Sequence, residues 1–80
     1  MTTVECVRMR ILALCKERGL SITGLARSAG ISPSTLKGII YGASLNPGIV
    51  TIKMLCDGLE ISLIEFFDTE EFRNLEQEIV

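Results

Sequence analysis

The residues of this 80-residue chain with the greatest chemical reactivity are its three cysteines, Cys6, Cys15 and Cys56. They form no C-x-x-C pair, and because the chain has no histidine, a zinc site would need carboxylates beside scattered thiols. We therefore interpret the thiols as small apolar core residues in a reducing compartment. Histidine is also the commonest general base near neutral pH, and no glycine-rich phosphate loop is present. The sequence thus argues against an enzyme and predicts no metal, cofactor or small-molecule substrate.

The composition is that of one small globular domain, with 48% hydrophobic and 22% charged residues. The longest apolar run, Ile11–Cys15, is far shorter than the roughly 20 residues that a membrane-spanning helix needs. The N-terminal region has no basic stretch followed by a long apolar one, so we expect no secretory signal peptide. The sequence predicts a soluble, cytoplasmic protein without a membrane partner.

The charges are unevenly distributed along the chain. Residues 1–60 carry seven basic and four acidic side chains, whereas residues 61–80 carry one basic and six acidic side chains. The net charge of −2 therefore combines a mildly basic body with an acidic end. This pattern permits the body to bind a polyanion and argues against such binding by the last 20 residues.

Apolar residues recur at intervals of three and four along almost the whole chain, and no segment alternates with a period of two for long. This periodicity predicts an all-α fold. Five helices and a short sixth are predicted: from about Val4 to Arg18, from Ile22 to about Ala29, from Pro33 to Tyr41, from Asn46-Pro47 to about Leu59, after Ser62, and from Asp68 onward.

Capping residues stand at the predicted helix ends. Gly19 and Gly30 accept the left-handed backbone at which helices end. The predicted N-caps, whose side-chain oxygens accept a hydrogen bond from the first turn, are Ser21, Ser32, Asn46 and Ser62, the last in a capping box with Glu65. The predicted inward-facing residues of the middle helices are Ile22, Leu25, Ala26, Ala29, Leu36, Ile39, Ile40, Ile49, Ile52, Leu55 and Leu59.

The segment from Ile22 to Tyr41 indicates function, because it contains two short helices joined by the tight connection Gly30-Ile31-Ser32. Helices that cross steeply at such a turn approach closely, so a small residue is needed at Ala26. The turn itself needs positive φ, which glycine accepts at Gly30. This segment resembles the helix-turn-helix of the phage repressor and Cro family, also called the XRE family.

The resemblance extends from about Ile11 to Phe67. It includes Arg18-Gly19-Leu20-Ser21 at the end of the first helix, the Asn46-Pro47 loop end and the Phe66-Phe67 turn. The resemblance implies a lambda-repressor-like domain of five helices. We assign residues 1–68 to this DNA-binding domain and residues 69–80 to an acidic, amphipathic C-terminal helix or tail.

The resemblance also implies contacts with DNA, since members of the family lay the second helix of the motif in the major groove. The base-facing positions that it implies are Pro33, Ser34, Lys37 and Gly38. The phosphate-contacting positions that it implies are Ser32, Thr35, Tyr41, Ser44 and Asn46. For Tyr41 the alternative is covering the edge of the core, and for Asn46 it is capping a helix.

The sequence departs from the family pattern at several of these positions. Family members often have glutamine where Pro33 and Gly38 stand, and neither residue can make the bidentate contact that discriminates between bases. The direct code is therefore expected to be weak, with DNA shape supplying the rest. A buried Arg–Glu pair of some phage members corresponds here to Cys15 and Ile40, which together are expected to pack as an apolar pair.

These features predict sequence-specific binding of double-stranded DNA by a transcriptional regulator that acts as a homodimer. The alternative is a protein-interaction module, antitoxin-like or a regulatory partner, that retains the fold without tight DNA binding. The tail stripe of Phe72, Leu75 and Ile79 is expected either to fold back on the first helix or to pair with a second copy.

Overall fold

The computed structural model describes residues 1–80 and contains six α-helices and no β-strand. The helices are α1 (Thr3–Arg18), α2 (Ile22–Ala29), α3 (Pro33–Ile40), α4 (Ile49–Leu59), α5 (Leu63–Phe67) and α6 (Glu70–Arg73). The predicted all-α class and the predicted five helices with a short sixth are confirmed. None of the six combines the length and the apolar character that crossing a bilayer requires.

Local capping determines the ends of α2 and the start of α5 as the sequence predicts. Ser21 Oγ accepts the Gly24 N–H at 2.9 Å, and α2 ends at Gly30, whose φ of 72° is left-handed. Ser62 and Glu65 form the predicted capping box at the start of α5. A second capping box, between Thr2 and Glu5, extends α1 one residue beyond its predicted start.

The predicted start of α4 is wrong. Asn46 does not cap this helix, because Pro47 and Gly48 continue the loop and α4 begins only at Ile49, with Gly48 as an N-cap that has no side chain. The first turn of α4 consequently extends beyond the core, and the side chain of Ile49, predicted to face inward, is 58% exposed. The other predicted inward-facing residues are buried except Ile22, which is half-buried and packs against the core.

One core of buried apolar side chains joins the helices. The most completely buried of them are Ile11, Leu25, Leu36, Leu55, Leu59 and Phe66. Cys15 and Ile40 are both buried in the same cluster, so both positions of the family's Arg–Glu pair are apolar core positions here. All three cysteines are buried and unbridged, and burial raises the pKa of each thiol. The thiols therefore stay protonated near neutral pH and serve packing, as the sequence predicts.

Helix α4 approaches the end of α2 closely at Gly58. A Cβ built on Gly58 would lie 2.8 Å from the Ala29 nitrogen and 3.0 Å from the Ala29 Cα and the Ser28 carbonyl carbon. All three atoms belong to the backbone, which cannot move aside as a flexible side chain can. Glycine at position 58 is thus what allows α2 and α4 to form the most extensive helix contact of the fold.

Three arginines of α1 bind main-chain carbonyls at the ends of three other helices. Arg8 donates to the Ile39 carbonyl of α3, and Arg18 donates to the Leu59 carbonyl of α4. Arg10 donates to the Phe66 and Glu65 carbonyls of α5. Donor and acceptor residues in these hydrogen bonds are 31 to 56 positions apart in the sequence. A helix C-terminus has carbonyls without intrahelical partners and a partial negative charge. A guanidinium therefore stabilises it both by hydrogen bonding to the carbonyls and by its positive charge. Helix α1 therefore holds the C-termini of α3, α4 and α5.

The C-terminal segment folds back on α1, which was one of its two expected arrangements. Phe72 packs against Phe66 and Phe67, with ring centroids 6.0 and 4.9 Å away. Beyond α6 the chain returns to its own N-terminus, where the Met1 ammonium pairs with Glu76 and Thr3 Oγ1 donates to Glu78. The helical part is shorter than predicted, and Ile79 of the predicted apolar stripe is 79% exposed.

We predict opposite stability effects for two glycine-to-alanine substitutions in helix interiors. Gly58→Ala forces α4 away from α2 and is expected to lower the free energy of unfolding by about 1–3 kcal/mol. Gly38→Ala adds a Cβ that meets only the Ala43 Cβ, at 3.9 Å, and is expected to raise it by up to about 1 kcal/mol through helix propensity. Urea denaturation of both variants and the wild type measures the difference. An unchanged stability for Gly58→Ala would contradict the close approach.

Candidate nucleic-acid interface

Helices α2 and α3 are joined by the three-residue connection 30–32 and present one side of α3 to solvent. The inner side of α3 is fixed by Leu36, Ile39 and Ile40, which are all buried in the core. Helix α3 has eight residues, and an α-helix with its side chains, about 10–12 Å across, fits a major groove about 12 Å wide. The arrangement is a short helix anchored along one side and free along the other.

The four predicted base-facing residues lie together in the first six residues of α3. Ser34 and Lys37 are exposed, and Pro33 and Gly38 are half-buried. Ser34, Lys37 and Gly38 share one face, since residues three and four apart are neighbours on a helix. A Cβ at Gly38 would make an ordinary van der Waals contact with the Ala43 Cβ, at 3.9 Å, so position 38 has room for a small side chain.

Three hydroxyls cluster at the start of α3. Ser32 Oγ accepts the Thr35 N–H at 3.2 Å and so acts as the predicted N-cap. The same oxygen lies 2.7 Å from Thr35 Oγ1 and 3.2 Å from Ser34 Oγ. Two of the predicted phosphate contacts, Ser32 and Thr35, are thus already hydrogen-bonded to each other within the protein.

The remaining predicted phosphate contacts follow α3 in the chain. Tyr41 is 72% exposed, so the alternative that it covers the edge of the core is wrong. The Ser44 N–H donates to the Gly38 carbonyl at 3.0 Å, which folds the loop against the end of α3. Asn46 is exposed, and its side chain neither caps α4 nor forms a hydrogen bond within the chain.

Fewer basic side chains of residues 1–60 are free to bind a polyanion than the charge count indicates. Arg8, Arg10 and Arg18 are directed at main-chain carbonyls, and Lys53 pairs with Asp57. The three cations that form no ion pair or side-chain hydrogen bond are Lys16, Arg27 and Lys37. Of these, Lys37 alone lies on α3. The carbonyl contacts of the arginines join residues far apart in sequence, and no local pattern reveals them.

A family model and a curated relative both match most of the chain. A family model described as a Cro/C1-type HTH DNA-binding domain matches residues 10–71. Over 62 residues the chain is 40% identical to the HTH-type transcriptional regulator SlrR of Bacillus subtilis (strain 168). That match covers 76% of this chain and 41% of SlrR, so the chain spans less than half the length of this relative.

Two solved structures share the fold. The crystal structure of the prophage Lp1 protein 11 aligns with a TM-score of 0.81 and 33% identity over 94% of this chain and 100% of that one. The crystal structure of the wild-type restriction-modification controller protein C.Esp1396I aligns with a TM-score of 0.74 and 25% identity over 80% of this chain and 81% of that one. The helical order extends well beyond the two helices of the motif in both comparisons.

The hydroxyl cluster predicts different costs for two neighbouring substitutions. Ser32→Ala removes the N-cap of α3 and is expected to lower the free energy of unfolding by about 1 kcal/mol. Ser34→Ala, the matched control, removes an exposed hydroxyl that accepts no main-chain N–H, and we expect a change within about 0.5 kcal/mol. Thermal unfolding followed by circular dichroism measures both. Equal melting temperatures for the two variants would show that Ser32 does not cap α3.

Proposed function

The chain belongs to the Cro/C1-type helix-turn-helix DNA-binding family, and we propose that it is a transcriptional regulator that binds double-stranded DNA with α3 in the major groove. The observation that carries this proposal is that Ser34 and Lys37 are exposed, with the half-buried Gly38 beside them, on a helix whose opposite side is buried in the core. A helix of this length and anchoring is what the docking geometry of the motif requires.

We assign direct base contacts to Ser34 and Lys37. A lysine ammonium donates to guanine O6 and N7, whereas a serine hydroxyl bonds to several base edges with little discrimination. Pro33 and Gly38 bring the helix backbone close to the bases without a donor or acceptor of their own. The weak direct readout means that sequence-dependent DNA shape supplies part of the specificity.

The phosphate contacts are assigned to both ends of α3. Ser32 and Thr35 stand at its N-terminus, where the helix dipole favours an anion. Tyr41, Ser44 and Asn46 stand at its other end and in the following loop, and the exposure of Tyr41 and Asn46 supports their role. Contacts of this kind fix orientation on the duplex and carry no sequence information.

We propose that the protein binds as a homodimer in the cytoplasm, with residues 1–68 as the DNA-binding unit. Two symmetric copies bind two half-sites, and this doubling compensates for the small number of base contacts that each copy makes. Support for a second copy comes from three exposed apolar side chains outside α3: Leu45 at 74%, Ile49 at 58% and Ile64 at 81%. Helix α5 packs on α4, whereas α3 packs on α1 and α2, so a partner seated on α5 leaves α3 free.

The same exposed side chains, together with the acidic residues 61–80, also support the alternative of a protein-interaction module. The two functions differ in their response to salt. A DNA-binding protein loses affinity with a slope of about −0.9 per phosphate contact when log affinity is plotted against log salt concentration. Binding of random-sequence duplex at two salt concentrations, followed by selection from a random pool, separates them. Failure to bind at low salt would favour the interaction module.

Lys37→Gln is expected to weaken DNA binding, because it removes the one free cation on α3. We expect an affinity loss of about 1–3 kcal/mol if Lys37 bonds a guanine, with relaxed preference at that base pair. Arg73→Gln is the matched control, since it removes one positive charge from α6, where Arg73 pairs with Asp68 and Glu70. Fluorescence anisotropy on a selected duplex measures both. Equal losses for the two variants would mean that only net charge matters.

The dimer has its own test in a pair of surface substitutions. Ile64→Glu places a charge in the exposed apolar surface and is expected to convert the dimer to a monomer that remains folded. Leu75→Glu is expected to leave the dimer intact, because the tail that carries Leu75 is bound to the N-terminus of its own chain. Sedimentation velocity distinguishes the two. A dimer that persists in Ile64→Glu and dissociates in Leu75→Glu would place the interface at the tail.

A further inference from the structure

The C-terminus of α3 is capped differently from those of the other long helices. Helices α1, α2 and α4 end in left-handed residues, Gly19, Gly30 and Glu60, and each of these caps directs its N–H at two carbonyls. Helix α3 ends at Tyr41, whose φ of −96° is not left-handed and whose N–H reaches the Lys37 carbonyl alone. The end of α3 therefore needs another donor.

Arg8 supplies that donor from α1. Its Nε donates to the Ile39 carbonyl at 2.8 Å, and its Nη2 donates to the Ser44 carbonyl at 3.1 Å, both in partly buried positions. The two acceptors are the end of α3 and the loop that follows it. Arg8 is itself held in place because its neighbour Val7 and Ile11, one turn further along α1, are buried in the core.

A third hydrogen bond closes this arrangement. The Ser44 N–H donates to the Gly38 carbonyl at 3.0 Å, so the loop is bonded to α3 on one side and to Arg8 on the other. The positive φ at the end of this helix falls one position later, at Gly42 with a φ of 94°, so position 41 carries the exposed Tyr41. The end of α3 and the loop that carries Ser44 and Asn46 are thereby joined through one guanidinium.

We propose that Arg8 is a positioning residue for DNA binding, which fixes α3 and the loop 41–46 as one unit without touching DNA. This inference rests on the proposed function. Base contacts from Ser34 and Lys37 and phosphate contacts from Tyr41 and Asn46 form together only if the two segments keep a fixed relative geometry. The guanidinium supplies that preorganisation, which would otherwise be an entropic cost of binding.

Arg10 provides a matched comparison. It makes the same type of contact, with Nε and Nη2 donating to the Phe66 and Glu65 carbonyls at 2.8 and 2.9 Å, but at the end of α5. Helix α5 carries none of the residues assigned to the DNA interface. Loss of Arg10 therefore removes an equivalent pair of hydrogen bonds and one positive charge from α1 without loosening α3.

The test compares Arg8→Met, Arg8→Lys and Arg10→Met with the wild type on one selected duplex. Anisotropy is measured at two salt concentrations and at a temperature where circular dichroism shows all four proteins folded. Arg8→Met is expected to lose about tenfold or more in affinity through lost preorganisation, with an unchanged salt slope because no phosphate contact is removed. Arg10→Met is expected to bind within about twofold of the wild type, a difference too small to reflect a lost contact.

Arg8→Lys separates geometry from charge and carries the test if Arg8→Met fails to fold. An ammonium keeps the charge but lacks the fork that spans two carbonyls, so most of the loss is expected to remain. Wild-type affinity in Arg8→Lys, equal losses in Arg8→Met and Arg10→Met, or a salt slope reduced by about one would each overturn the role of Arg8. A wild-type protein that binds no duplex would instead overturn the proposed function itself.

Discussion

The fold depends on one long helix that binds the main chain of three others. In a chain of 80 residues the core is small, and it fixes the helices mainly by the burial of one face each. Burial alone allows a helix to slide or rotate slightly, whereas a guanidinium bonded to terminal carbonyls does not. Through Arg8, Arg10 and Arg18, helix α1 adds this directional constraint to α3, α5 and α4. The orientation of the candidate recognition helix is accordingly a property of α1 as much as of α3.

The sequence predicts those features whose causes are local. Ser21, Gly30 and Ser62 act within one turn of their own helices, and the helix ends that they predict are the ones observed. Asn46-Pro47 has the same local form and misled, because the loop continues to Gly48 before α4 begins. The close approach at Gly58 was not predictable, since the backbone that it meets, at Ala29, belongs to a helix 29 positions earlier in the chain.

The candidate site divides in the same way. The exposure of Ser34, Thr35 and Lys37 follows from the helical period once Leu36 and Ile39 are assigned to the core. The DNA contacts proposed for them rest on the family resemblance and not on the helical period. Neither the helical period nor the family resemblance shows which basic side chains are free, since a charge count does not distinguish a free lysine from an arginine bonded to a carbonyl. Lys37 is the former and Arg8 is the latter.

The hydrogen bonds of Arg8 to carbonyl oxygens do not depend on the side chains of the residues that carry those oxygens. Arg8 binds main-chain oxygens, which every amino acid provides, so side chains on the outer surface of α3 can change without a compensating change in α1. An Arg–Glu pair between these helices would have required both partners to change together, and Cys15 and Ile40 stand where the family resemblance places that pair. Substitution at the exposed positions Ser34 and Lys37 is thereby separated from the maintenance of the scaffold.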